Sequence, residues 1–181
     1  MFNEFGEFDS YVEINEKADE MFNDVNVDSE MILELAKENG IPEEYAQLYL
    51  NAETPYLCDA ASAAVGKIEI EREETALEGL LEDWISYIEA ECMEDDELAM
   101  AVRRRDKSLK GCIAEIVLYS LLHQKTVDKD IMQIVQDRIR EEKIDLKKET
   151  GIEPRWLQYT KMGYPGMGRV KKMIRQYYLG R

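Results

Sequence analysis

The stretch from Glu69 to Glu97, EIEREETALEGLLEDWISYIEAECMEDDE, limits what this chain can fold into more than any other. On a 3.6-residue period, Leu77, Leu81, Trp84, Ile88 and Cys92 share one face, while Glu71, Glu74, Glu78, Glu82 and Glu89 fall mostly on the opposite side. The pattern predicts one amphipathic helix with an acidic outer wall. Past its end, Glu94, Asp95, Asp96 and Glu97 stand in a row, and Arg103, Arg104 and Arg105 then reverse the sign.

Polarity therefore turns over near residue 100. Residues 1–100 hold 29 Asp and Glu against 4 Lys and Arg, residues 101–181 hold 10 against 19, and the halves carry about −25 and +9. The expected organisation is an acidic helical half, 1–100, and a basic helical half, 101–181, within one continuous, mainly α, compact domain of about seven to nine helices. Like charges at such density repel and cost stability. Solubility does not require that much acid, so a cationic partner for the first half is one reading and tolerated charge the other. An acidic body is repelled by phosphate, which argues against free-standing DNA binding by the whole chain.

With 181 residues, 45% of them apolar, the chain can fill a core without staples. Cys58, Cys92 and Cys112 are odd in number, lack CxxC spacing and sit in apolar helical patterns, so reduced, buried thiols in a cytoplasmic protein are expected. The opening MFNEFGEFDS has no basic leader region, and no 18-residue apolar run occurs, so no membrane association is expected.

Along the chain, Phe2, Phe5 and Phe8 lie three apart in an acidic arm. Asp9 or Ser10 is expected to cap a helix reaching about Phe22, with Glu13, Glu16, Asp19 and Glu20 outward. Asp24, Asn26, Asp28 and Glu30 resemble half a calcium loop, but its sixth and twelfth positions hold Ser29 and Leu35 rather than Gly and Glu. Asp28 or Ser29 instead starts SEMILELAKENG, which Gly40 ends, and Pro42 opens the next helix. The resulting helix-turn-helix offers Glu43, Glu44 and Gln47 where a DNA reader needs basic or amide groups, so it reads as a packing hairpin.

YLCDAASAAVGK predicts a closely packed helix, and KIEIER a helix or an extended linker. A short helix is expected near 95–104. Leu109, Cys112, Ile113, Ile116, Val117, Ser120 and Leu121 make so wide an apolar face that the helix near 108–124 is expected to be the most buried. Thr126 or Asp128 should start a helix to about Lys143 with Ile131, Val135 and Ile139 inward. KIDLKKETGIEPRW reads as a polar connection anchored by Trp156. The tail ends in a basic amphipathic helix with Val170, Met173, Ile174 and Tyr177 inward and Arg169, Lys171, Lys172 and Arg175 outward.

Catalytic patterns are scarce. GxSxG, HExxH and kinase signatures do not occur, the carboxylates are too numerous to single out an acid/base pair, and the lone His123 reads as a helix C-terminal histidine. No metal site or cofactor is expected, and the chain is not expected to be an enzyme. Gly163, Gly166 and Gly168 precede the basic helix, where they suit a helix-entry turn or a phosphate contact, but Arg169 and Val170 depart from a nucleotide-binding loop.

The blocks AKENGIPEEYAQLYL, TPYLCDAASAAVGKIEIE, EDWISYIEAEC, KSLKGCIAEI and GYPGMGRVKKMIRQYYLG, in that order, resemble type II-A anti-CRISPR proteins, Cas9 inhibitors from Firmicutes phage or mobile elements. The resemblance spans most of the chain and carries no binding residue over. It implies a non-enzymatic inhibitor that acts in a bacterial host cell by binding Cas9 with its guide RNA and blocking target DNA binding or cleavage. Such effectors hold nucleic acid in positively charged channels, for which an acidic, DNA-like surface competes. The acidic candidates are Glu71, Glu74, Glu78, Glu82, Glu94, Asp95, Asp96 and Glu97. One helix is too sparse to imitate duplex charge, so helices at 10–22 and 42–52 are candidates beside 71–97. The alternative is a phage accessory nucleic-acid-binding protein that uses Arg169, Lys171, Lys172 and Arg175. These cations could equally meet the acidic half of a second copy in a homodimer.

Overall fold

The computed structural model describes residues 8–24, 29–75 and 79–180, without the side chains of Leu80, Trp156, Gln158 and Tyr159. The expectations for Phe2, Phe5, Asn26, Asp28, Leu77 and Glu78 lie outside the described residues, as does the anchoring expected of Trp156. The fold is mainly α. Among the described residues there are ten α-helices, somewhat more than expected, with one 3-10 helix and a two-stranded antiparallel ribbon.

The chain divides into two compact units, one of residues 1–115 and 169–181 and one of residues 116–168. The first carries about −17 and the second about +1.

The first unit begins with α1 (Tyr11–Asn23), α2 (Ser29–Glu38) and α3 (Glu43–Leu50). Ser10 caps α1 by accepting the Glu13 N–H, and Glu13 answers by accepting the Asp9 N–H at 2.8 Å. The other expected cap, Asp9, instead accepts the Arg105 N–H at 2.7 Å. Ile14, Ala18, Ile32, Leu35, Ala36, Ala46 and Tyr49 repeat at helical spacing and meet in one apolar core. The α2–α3 turn closes on Gly40 at φ 70°, and a methyl group on Gly40 would lie 2.3 Å from the Gly66 carbonyl oxygen. The Ala36/Gly40 spacing therefore serves close packing, as a hairpin requires.

Glu69–Glu97 does not form one helix. α4 (Ala60–Glu73), starting from a reciprocal Asp59–Ser62 capping box, takes in KIEIER. α5 (Leu80–Glu94) starts after Gly79 at φ 64°, and α6 (Asp96–Arg103) after Asp95. α4 ends at Glu73, and α5 begins only after Gly79, whose positive φ does not continue an α-helix, so separate axes replace the single expected one. Trp84, Ile88 and Cys92 of the expected stripe, joined by Ile85, are fully buried, and α4 packs against both α5 and α6.

α7 (Leu109–Leu122) was expected to be the most buried helix, and the structure corrects this. Leu109, Cys112, Ile113 and Ile116 are buried, whereas Leu118, Leu121 and Leu122 are 50%, 61% and 71% exposed. Its apolar residues run around most of the helix, interrupted by Lys110 and Glu115, so a wide face in sequence does not specify a buried one. The second unit continues with β1 (Lys125–Thr126), α8 (Lys129–Glu141), α9 (Leu146–Thr150), the 3-10 helix Pro154–Tyr159 and β2 (Lys161–Met162). KIDLKKETGIEPRW is thus not mere connection. On α8, Ile131 and Val135 are exposed rather than inward, Ile139 is half-buried and Met132 is buried, because the register facing the 3-10 helix runs through Met132, Gln136 and Ile139. α10 (Met167–Leu179) returns the chain to the first unit and buries Val170, Ile174 and Tyr178. Tyr178 takes the place expected of Tyr177, whose hydroxyl accepts the Ser108 N–H at 3.1 Å.

Candidate functional site

Four of the eight nominated acids, Glu71, Glu74, Glu82 and Asp95, are engaged by their own unit. Lys67, 6% exposed, reaches from α4 to the C-terminal end of α6 and donates to the carbonyl of Val102 in the last turn of that helix and to those of Arg104 and Lys107 in the segment that follows it. Glu71 lies 3.8 Å from the Lys67 ammonium and accepts the Leu109 N–H at the start of α7, where negative charge is favoured. Its side chain is only 14% exposed, so its expected outward placement is corrected.

Farther along, Arg72 pairs with Glu82 and lies 3.6 Å from Glu89. One Glu89 oxygen is buried without a hydrogen bond, and burial pushes this carboxyl above its ordinary value against the pull of Arg72. Glu74 lies 3.5 Å from Lys110. Asp95 caps α6 through the Glu97 and Leu98 N–H groups and accepts from Arg175 at 2.6 Å. The Arg175 hydrogen bond, then that of the Leu98 N–H, holds its carboxyl below the usual range. Glu94, Asp96 and Glu97 are exposed, and Glu78 lies outside the described residues.

Of the C-terminal cations, Arg169, Lys171 and Lys172 are exposed as expected and Arg175 is not. Arg175 is half-buried and bridges Glu91 at 3.3 Å and Asp95 at 2.6 Å, and the Lys171 ammonium sits 4.3 Å from the centre of the Tyr87 ring. The acidic half that meets this helix is that of the same chain.

The less neutralised acid lies on α1–α3. Glu16, Glu20, Glu30, Glu34, Glu43 and Glu44 are exposed there, Glu53 is exposed just past α3, and the only cations on these helices are Lys17, 3.2 Å from Glu20, and Lys37. Glu16, Glu34, Glu43 and Glu44 make no salt bridge among the described residues. Asp19 accepts the Tyr49 hydroxyl at 2.6 Å. α2 packs against both α1 and α3, bringing three acid-bearing helices together. Helices 10–22 and 42–52 were expected candidates beside 71–97, but α2 and the individual residues were not nominated, although a signal was present, since Lys17 and Lys37 are the only cations before Lys67.

The three cysteines are free and buried, and burial raises each thiol to about 12, although Cys58 precedes α4 rather than lying in a helix. Thiols so raised are poor nucleophiles. His123 follows α7, stacks on Tyr119 and places Nδ1 2.9 Å from the Tyr119 carbonyl, as a helix-end histidine would. Gly163 is set by packing, since an added methyl would lie 2.2 Å from the Ser120 carbonyl oxygen. Among the described residues, no three His, Cys, Asp or Glu side chains cluster to hold a metal, and no helix is long and apolar enough to cross a membrane. Comparison with protein-family models, curated proteins and solved structures returns no match for this chain.

Proposed function

We propose that this chain is a non-enzymatic inhibitor that binds guide-loaded Cas9 through an acidic surface and keeps it from engaging or cutting target DNA. The carrying observation is the exposed acid of α1–α3, where six exposed glutamates stand against two lysines. Duplex DNA presents about one charge per 1.7 Å, and a helix with one acid per turn about one per 5.4 Å, so three adjacent acidic helices approach a density that one does not. Glu74, paired with Lys110, and the exposed Glu94, Asp96 and Glu97 extend the acid surface. The choice of Cas9 rests on the resemblance of the sequence blocks, and the choice of a basic, nucleic-acid-binding cleft on charge. The alternative, nucleic-acid contact through α10, keeps Arg169, Lys171 and Lys172 as exposed cations but loses Arg175 to Glu91 and Asp95.

The test is association kinetics with guide-loaded Cas9 at low and high ionic strength, beside inhibition of DNA cleavage. Association should slow as salt rises. No binding, or binding indifferent to salt, would falsify the acidic-surface reading.

A further inference from the structure

An open cleft of about 660 Å³ lies in the second unit, between α8 and the 3-10 helix. Its floor is aliphatic, formed by Ile139, Ile144, Pro154 and Leu157, and Arg140, Lys143 and Arg155 bring cationic groups to it. Arg140 shares its charge with Asp137 at 3.0 Å. Lys143 makes no ion pair among the described residues. The one lining carboxylate, Asp145, is committed to the N-terminus of α9, where it accepts the Lys148 N–H at 3.1 Å. A volume of several hundred Å³, an apolar floor and a few convergent charges suit a ligand site.

The backbone bears on the role of Lys143. α8 ends with the Ile144 N–H bonded to the Ile139 carbonyl at 3.0 Å and the Lys143 N–H to Arg140 at 3.3 Å. This closure puts its penultimate residue in the left-handed region, where glycine is preferred. α2 uses Gly40 there, but α8 uses Lys143 at φ 54°. Ala52 after α3 is also non-glycine, so strain alone assigns nothing. At Lys143 it coincides with a cation beside an apolar cleft.

We propose that this cleft binds an acidic, apolar-flanked peptide segment of a partner protein, with carboxylates on Lys143, Arg155 and Arg140 and aliphatic side chains on Ile139, Ile144 and Leu157. Charge complementarity selects the acidic partner, and guanidinium groups pair with carboxylates in a forked geometry. The open form suits an extended segment rather than an enclosed alkyl chain. None of the described lining side chains is aromatic, as stacking on single-stranded nucleic acid would need.

The probe is a fluorescein-labelled heptapeptide of alternating Glu and Leu, followed by anisotropy with the full chain. Its Gln–Leu counterpart, dodecanoate and a short single-stranded DNA serve as comparisons. The acidic peptide should bind, the Gln–Leu peptide should bind roughly tenfold more weakly or worse, and neither dodecanoate nor DNA should displace the probe. Lys143→Glu with Arg155→Glu should weaken binding by at least about tenfold at unchanged circular dichroism, and Lys143→Gln with Arg155→Gln is used if reversal disturbs folding. Lys143→Gly separates the roles, since it should raise the thermal midpoint while lowering affinity. Absence of peptide binding, equal binding of both peptides, displacement by DNA or dodecanoate, or full affinity in Lys143→Gly overturns the proposal. No arm uses Cas9, so its failure is distinct from failure of the inhibitor reading.

Discussion

The acids of α1–α3 and those of α4–α6 look alike in composition and differ in their neighbours. On α4–α6, Lys67, Arg72, Lys110 and Arg175 turn five of the carboxylates, Glu71, Glu82, Glu74, Glu91 and Asp95, into caps and ion pairs within the unit. On α1–α3, Lys17 and Lys37 stand against a much larger exposed set. A carboxylate already matched by a cation adds little to the field outside the molecule, whereas several unmatched ones add up and act at a distance. The more acidic-looking stretch of sequence is therefore not unmatched acid throughout.

The largest expected effect tests the internal side of this contrast. Lys67→Met takes the ammonium from the carbonyls of Val102, Arg104 and Lys107 and from Glu71, and should cost about 3 kcal/mol in denaturant unfolding. A loss below about 1 kcal/mol would mean that water replaces the ammonium and that the α4–α6 charges are surface charges after all.

Next comes the seam between the two regions. Gly66→Ala would place a methyl 2.5 Å from the Asn39 carbonyl oxygen, forcing α4 away from the α2–α3 turn. It should lower stability by about 2 kcal/mol, read as an earlier denaturant midpoint.

The comparison itself is tested by two matched variants. Changing Glu16, Glu34, Glu43 and Glu44 to glutamine should slow association with guide-loaded Cas9 by roughly tenfold, with thermal unfolding unchanged. Glu74→Gln, Glu94→Gln, Asp96→Asn and Glu97→Gln together should slow it less. The reverse order would return the contact surface to α4–α6, and equal rates for both variants and wild type would remove acidic steering from either.

The smallest effect concerns Glu89. Burial raises its carboxyl in the fold, so between the ordinary value and the raised one the native state holds the proton more firmly than the unfolded chain. Stability therefore falls as pH rises through that window. Glu89→Gln should flatten this dependence and stabilise the protein at neutral pH by less than about 1 kcal/mol, despite losing Arg72 as a charged neighbour. Thermal midpoints at mildly acid and neutral pH check it.

Local chemistry was legible in the sequence. Ser10 capping α1, Gly40 ending α2, the start of α8 at Asp128, and the buried Trp84, Ile88 and Cys92 follow from spacing and caps, because these are decided within a few residues of chain. The mainly helical fold and the unpaired, buried cysteines were readable for the same reason. Which apolar face of α7 is covered was not, since a helix apolar around most of its surface fits several burials and only its neighbours choose among them. The break at Gly79 was hidden because the stripe keeps its phase across it.

Charge divides along the same line. The excess of acid before residue 100, and the scarcity of cations before Lys67, belong to the sequence and set a strongly negative unit in any fold. Which acids face outward unmatched was decided by the return of α10, which brings Arg175 to Glu91 and Asp95 across some 80 residues of chain. Coulomb attraction acts through space, and only the tertiary structure sets the distances at which it acts.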